Sequence, residues 1–198
     1  MTGNAEEQEL KDRLNLIETM IAEGRRSTES WGWIFVLWGV AYYVAIAWAT
    51  WGRSTIAWPV TMIGASVLMG VLLSFMPRSR AETTVRRAIS SVWIALGISM
   101  FIVLFSLAAS GRYEQHVFVA IIGAMLGTAN ATSSLILKWK IQFFCAIIWW
   151  AAAVVSCFGS TTQTSIAFLA AIFFAQIVFG VYCMIAESRK AKHGELHA

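Results

Sequence analysis

Charge is scarce in this sequence. Only 13% of its 198 residues are Asp, Glu, Lys or Arg, against about 25% in an ordinary soluble domain. The scarcity is sharpest in six apolar runs, at 31–50, 55–76, 89–110, 117–137, 141–158 and 164–186, none of which holds an Asp, Glu, Lys, Arg or His. That excludes a water-exposed globule, which would leave large apolar patches bare. Each run is long enough to cross about 30 Å of hydrocarbon at about 1.5 Å per residue. Ion-coupled transport generally shows an acid at membrane depth, and intramembrane catalysis needs a nucleophile with a base, or metal ligands. Neither set exists in the runs, so the expectation is no enzyme and no cofactor.

Cysteine and proline are also few. Cys145, Cys157 and Cys183 are odd in number, lack zinc spacing and have no neighbouring His, which argues against a disulfide framework or a metal site. They read as small packing residues. Pro59 falls in the first turns of the second run, where it is tolerated, and Pro77 ends it. Spans broken by paired Gly or Pro, as in many transporters, are not evident. A basic leader is missing too. The first thirty residues are acidic and amphipathic, unlike a cleavable signal peptide, so the first run is expected to be an uncleaved anchor.

What is present gives an orientation. Lys11, Arg13, Arg25 and Arg26 precede the first run. Arg78, Arg80, Arg86 and Arg87 follow the second, Lys138 and Lys140 the fourth, and Arg189, Lys190 and Lys192 the sixth. Only Arg53 and Arg112 fall on the other side. Positive charge is retained on the cytoplasmic side of short loops, so both chain ends are expected there. Because these cations lie between apolar runs and form no patch of their own, the net charge of +4 does not imply nucleic acid. Trp31, Trp33 and Trp139 are expected at the inner interface, and Trp48, Trp51, Trp58 and Tyr113 at the outer one. The outer turns, 52–54, 111–116 and 159–163, each open on a Gly able to end a helix in the left-handed region.

The expected fold is all-α: a bundle of six transmembrane helices over 31–186, an N-terminal cytoplasmic amphipathic helix with linker over 1–30, and a cytoplasmic tail over 187–198. The N-terminal helix is expected from about Ala5 to Glu23. Asn4 and Glu7 have capping-box spacing, and Gly24 reads as the stop, with Ser30 as a cap for the next helix. Glu7–Lys11 and Glu9–Arg13 are favourable i,i+4 pairs. Leu10, Leu14, Ile17 and Ile21 form one apolar stripe. Such a helix is marginal alone, so the stripe wants a partner: a second copy, a cytoplasmic protein, or the face of its own bundle. The membrane surface suits it less, because its acidic side chains repel anionic lipid.

Polar residues recur near the middle of the runs: Tyr42, Tyr43, Ser66, Ser99, Thr128, Asn130 and Gln176, with Trp149 and Trp150 at mid-depth. Tyr42, Tyr43, Asn130 and Gln176 are the candidate ligand site. The plainer reading is hydrogen bonding between helices. Small residues at four-residue spacing, Gly123-Gly127-Ala131, Ser91-Ala95-Ser99 and Ala167-Ala171-Ala175, suit close packing within one bundle or self-association. His116, His193 and His197 receive no role.

The stretch Ile21-Ala22-Glu23-Gly24-Arg25-Arg26-Ser27-Thr28-Glu29-Ser30-Trp31-Gly32-Trp33 resembles the start of small polytopic bacterial membrane proteins of no known activity. The resemblance implies a bacterial inner membrane and brings no functional residues. The functional expectation is a non-enzymatic interaction or regulatory component working through its N-terminal helix. The alternative is a small-solute permease or channel subunit with a midplane polar site.

Overall fold

A computed structural model describes residues 2–54, 56–75, 84–111 and 114–195. The described residues are helical apart from short turns. The helices are α1 (Thr2–Glu29), α2 (Gly32–Trp51), α3 (Ala57–Phe75), α4 (Thr84–Ala109), α5 (Gln115–Leu137), α6 (Lys140–Phe158), α7 (Thr161–Ile172) and α8 (Phe179–Glu195). A π-helical turn, Phe173–Val178, joins α7 to α8 without leaving helical backbone angles, so the last span is continuous. Six helices are long and apolar enough to cross a membrane, the mark of a multi-pass membrane protein. Arg78, Arg80, Ser79 and Thr83, and also Arg112 and Tyr113, lie outside the described residues.

Packing is uneven. The core lies among α2, α5, α6 and the α7–α8 span. On α6 it is carried by Gln142, Cys145, Trp149, Ala152 and Ser156, whose alternating spacing of three and four keeps them on one face. Glycines set the closest approaches. A Cβ on Gly32 of α2 would stand 2.7 Å from the carbonyl oxygen of Gly180 on α8, and the reverse holds for Gly180. A Cβ on Gly123 of α5 would meet the Trp149 carbonyl of α6 at 2.7 Å. The stripe through Gly123 and Gly127 thus serves packing of α5 on α6. Ala171 and Ala175 are likewise buried inside, whereas Ser91, Ala95 and Ser99 are exposed on α4. Helix α3 leans on α2, and α4 on α5 and α1; both keep most of their surface bare.

Several local expectations are corrected. Helix α1 does not stop at Gly24 but runs to Glu29. Gly24 is instead a crossing point, where an added Cβ would lie 2.7 Å from Val85 and 2.8 Å from Leu137. The helix starts before Asn4, so Asn4 is inside it, and the cap position of α2 is Trp31 rather than Ser30. Among the turn glycines only Gly111 is left-handed, with φ +67°; Gly52 and Gly159 are not. Two cations take that conformation instead: Arg53 with φ 45° and Lys138 with φ 50°. The last span begins at Thr161, earlier than expected, because Ser160 and Gln163 form a reciprocal capping box. At the other end, α8 runs on through Glu187 to Glu195, so the expected tail continues the helix.

Candidate functional site

The stripe on α1 is uncovered. Every side chain from Glu6 to Thr19 is exposed. Leu10 keeps 59% of its surface open, and Leu14 and Ile17 each keep 53%. Ile21, the fourth member, is half-buried at the base. The bundle therefore holds only the C-terminal third of α1, against α4, α5 and α8. The hold is specific. Arg25 donates from Nε to the Leu137 carbonyl oxygen at 2.6 Å and from a terminal nitrogen to that of Lys138 at 2.5 Å. These carbonyls end α5, where helix dipoles favour a cation. Nearby, Thr28 and Glu29 are buried. Further out, Lys11 pairs with Glu7 at 2.7 Å and Arg13 with Glu9 at 2.5 Å. Such exposed i,i+4 pairs add only about 0.3–0.5 kcal/mol each.

The four polar candidates take different partners. Tyr42 is buried among Trp38, Trp58 and Phe168, and the Tyr43 hydroxyl donates to the Leu169 carbonyl at 2.9 Å. Gln176 is level with Gly39 of α2, where an added Cβ would stand 3.1 Å from its Cβ, so it lies about one helical turn from Tyr42 and Tyr43. Asn130 donates to the Leu126 carbonyl of its own helix at 2.9 Å. Ser66, at 2.8 Å to Met62, and Thr128, at 2.9 Å to Ala124, also bond within their helices and are exposed.

Gln176 gains a different companion, Gln142, which sequence reasoning overlooked. Trp139 of α6 meets Phe179 with ring centroids 5.5 Å apart. The antiparallel register then brings Gln142, three residues beyond Trp139, level with Gln176, three residues before Phe179. Asn130 stands about one turn away in height on α5, itself one turn past Gly127, which holds the Trp150 ring of α6. Asn130 and Gln142 are fully buried and Gln176 nearly so. Among the described residues, Asn130 Oδ1, Gln176 Oε1 and both amide atoms of Gln142 have no hydrogen-bond partner. An unpaired buried group costs about 1–3 kcal/mol. This layer offers neutral donors and acceptors from three spans and no charge. Gln176 also sits on the π turn, an element frequent at functional sites. The position of Gln142 on the apolar stripe of α6 was the signal available in the sequence.

Besides the Tyr43 bond to Leu169, hydrogen bonds that join spans come from residues outside the four candidates. Trp93 Nε1 donates to Ser133 Oγ at 3.1 Å, and Gln115 to Ser165 at 2.7 Å. His116, expected to have no role, reaches the Ser156 carbonyl at 3.0 Å, Thr164 Oγ1 at 3.1 Å and Thr161 Oγ1 at 3.3 Å. It ties the start of α5 to the turn between α6 and α7. Cys145 and Cys183 are buried and Cys157 is exposed, all three as free thiols.

Fold and site together define an all-α polytopic bundle with six helices of membrane-crossing length and a seventh that leaves it with an open apolar stripe. The chain matches no protein-family model, no curated protein and no solved structure.

Proposed function

We propose that this chain is a non-enzymatic, multi-pass protein of a bacterial inner membrane, with both ends cytoplasmic, acting as an interaction or regulatory component through α1. The observation that carries the reading is the contrast within that helix. Its base is fixed by Arg25 on the α5 carbonyls, while Leu10, Leu14 and Ile17 project uncovered. A helix with an open apolar stripe and few tertiary contacts gains little stability alone, so a partner for the stripe accounts for its being helical and apolar. The cations between the spans support the orientation. The test is Leu14→Asp with Ile17→Asp, which touches no span. The doubly substituted protein should insert normally and lose its native assembly, read as a smaller mass in gentle detergent. An unchanged assembly would make α1 a passive extension.

The buried amide layer favours a second reading, a small-solute permease or channel subunit. Three carboxamides, each with at least one unpaired atom, suit a neutral hydrogen-bonding solute. Under that reading Gln142→Leu abolishes a solute-dependent rise in melting temperature. If no neutral solute raises the melting temperature of the unaltered protein, the reading falls.

A further inference from the structure

We infer that the partner of the α1 stripe is a second copy of this chain, paired in parallel and in register; the inference rests on the reading of α1 as an interaction arm. Leu10 and Ile17 occupy d positions of a heptad, and Leu14 and Ile21 occupy a positions. Leu10, Leu14 and Ile17 are the open layers. The flanking positions then carry a charge pattern that selects a partner. Glu6 and Arg13 fall at g, and Lys11 and Glu18 at e. In a parallel pair each g residue faces the e residue of the following heptad on the other strand. Glu6 thus faces the partner's Lys11, and Arg13 faces the partner's Glu18. Both contacts join opposite charges, and symmetry repeats each of them. All four side chains are exposed. The existing pairs to Glu7 and Glu9 lie on the surface and are weak enough to exchange.

Two further facts favour this occupant. Copies in one bilayer send α1 out at the same end of the bundle, which suits parallel pairing. A pair of helices this short is marginal in free solution. Tethering both strands to one membrane, with bases held by Arg25, raises their effective concentration.

The test is charge reversal with mutual rescue, in the full chain and in native membranes. Cys145, Cys157 and Cys183 are replaced by Ala, and Leu14→Cys reports pairing by oxidative cross-linking. Lys11→Glu with Glu18→Lys makes both contacts repulsive in a homodimer. Glu6→Lys with Arg13→Glu does the same from the g side. Each variant alone should lose cross-linked dimer on the order of tenfold, since four attractive contacts become repulsive. Co-expression of the two should restore it, because every facing pair is then opposite in charge. Restoration also shows that both variants fold. Cross-linking of either variant alone at the unaltered level, or no restoration, overturns the in-register pairing. No cross-link in the reporter protein itself overturns the homodimer. If Leu14→Asp with Ile17→Asp still shrinks the native assembly in that case, the interaction arm stands with a different protein as partner.

Discussion

Arg25 donates from Nε to the main-chain oxygen of Leu137 across 2.6 Å, joining residues 112 positions apart in the chain. One side chain thereby fixes where α1 leaves the bundle. Removing it should free the helix without touching its stripe. Arg25→Ala should cost about 1–3 kcal/mol, the worth of charged hydrogen bonds to helix-end carbonyls. Amide hydrogen exchange should quicken across residues 20–29 and change little within α5 to α8.

The Gly32–Gly180 approach predicts a different failure. Gly180→Ala puts a methyl group 2.7 Å from the Gly32 oxygen, which is backbone and has no rotamer to yield. Helices α2 and α8 must part, at a cost of about 1–3 kcal/mol. Denaturation in detergent should show it. Gly64→Ala on α3 meets nothing within 4 Å and should leave stability unchanged.

Gln142→Leu should stabilise the bundle by about 1–2 kcal/mol, because it removes two buried, unpaired polar atoms while keeping most of the volume. The same denaturation measurement reads it. Destabilisation of similar size would show that the amide is paired, and would assign it to bonding between spans.

The orientation is tested by labelling from outside the cell. In a background lacking Cys145, Cys157 and Cys183, Arg53→Cys and Thr162→Cys should react with an impermeant maleimide, and Lys140→Cys and Arg189→Cys should not. All four positions are exposed. The reverse pattern would turn the molecule over and place α1 outside.

The spans were legible because uncharged runs of this length have one common physical use. The stripe was legible because its period is that of a helix. What the sequence hid depends on neighbours distant in the chain. Gly24 looked like a stop, since glycine so often ends helices, yet it is kept small by Val85 and Leu137. The π turn at Phe173–Val178 has no Gly or Pro to announce it. Gln142 lies near a span end and was passed over, and only the register of α6 against the last span sets it level with Gln176. Tyr42 and Tyr43 looked level with Gln176 in a linear count, and they lie about one turn from it, since Gly39 of the same helix meets Gln176. The Ser160–Gln163 box has the spacing of a cap, yet it was passed over and the span was expected to begin only at Thr164.

The α1 stripe should be covered when the protein sits in its membrane. Reaction rates of single cysteines in native membrane vesicles opened to the reagent measure that directly. Leu14→Cys lies on the stripe and Asn15→Cys beside it, and both positions are exposed in the single chain. Leu14→Cys should react several-fold more slowly than Asn15→Cys in the membrane, and the difference should vanish when Ile17→Asp is added. Equal rates at the two positions in the otherwise unaltered protein would contradict it.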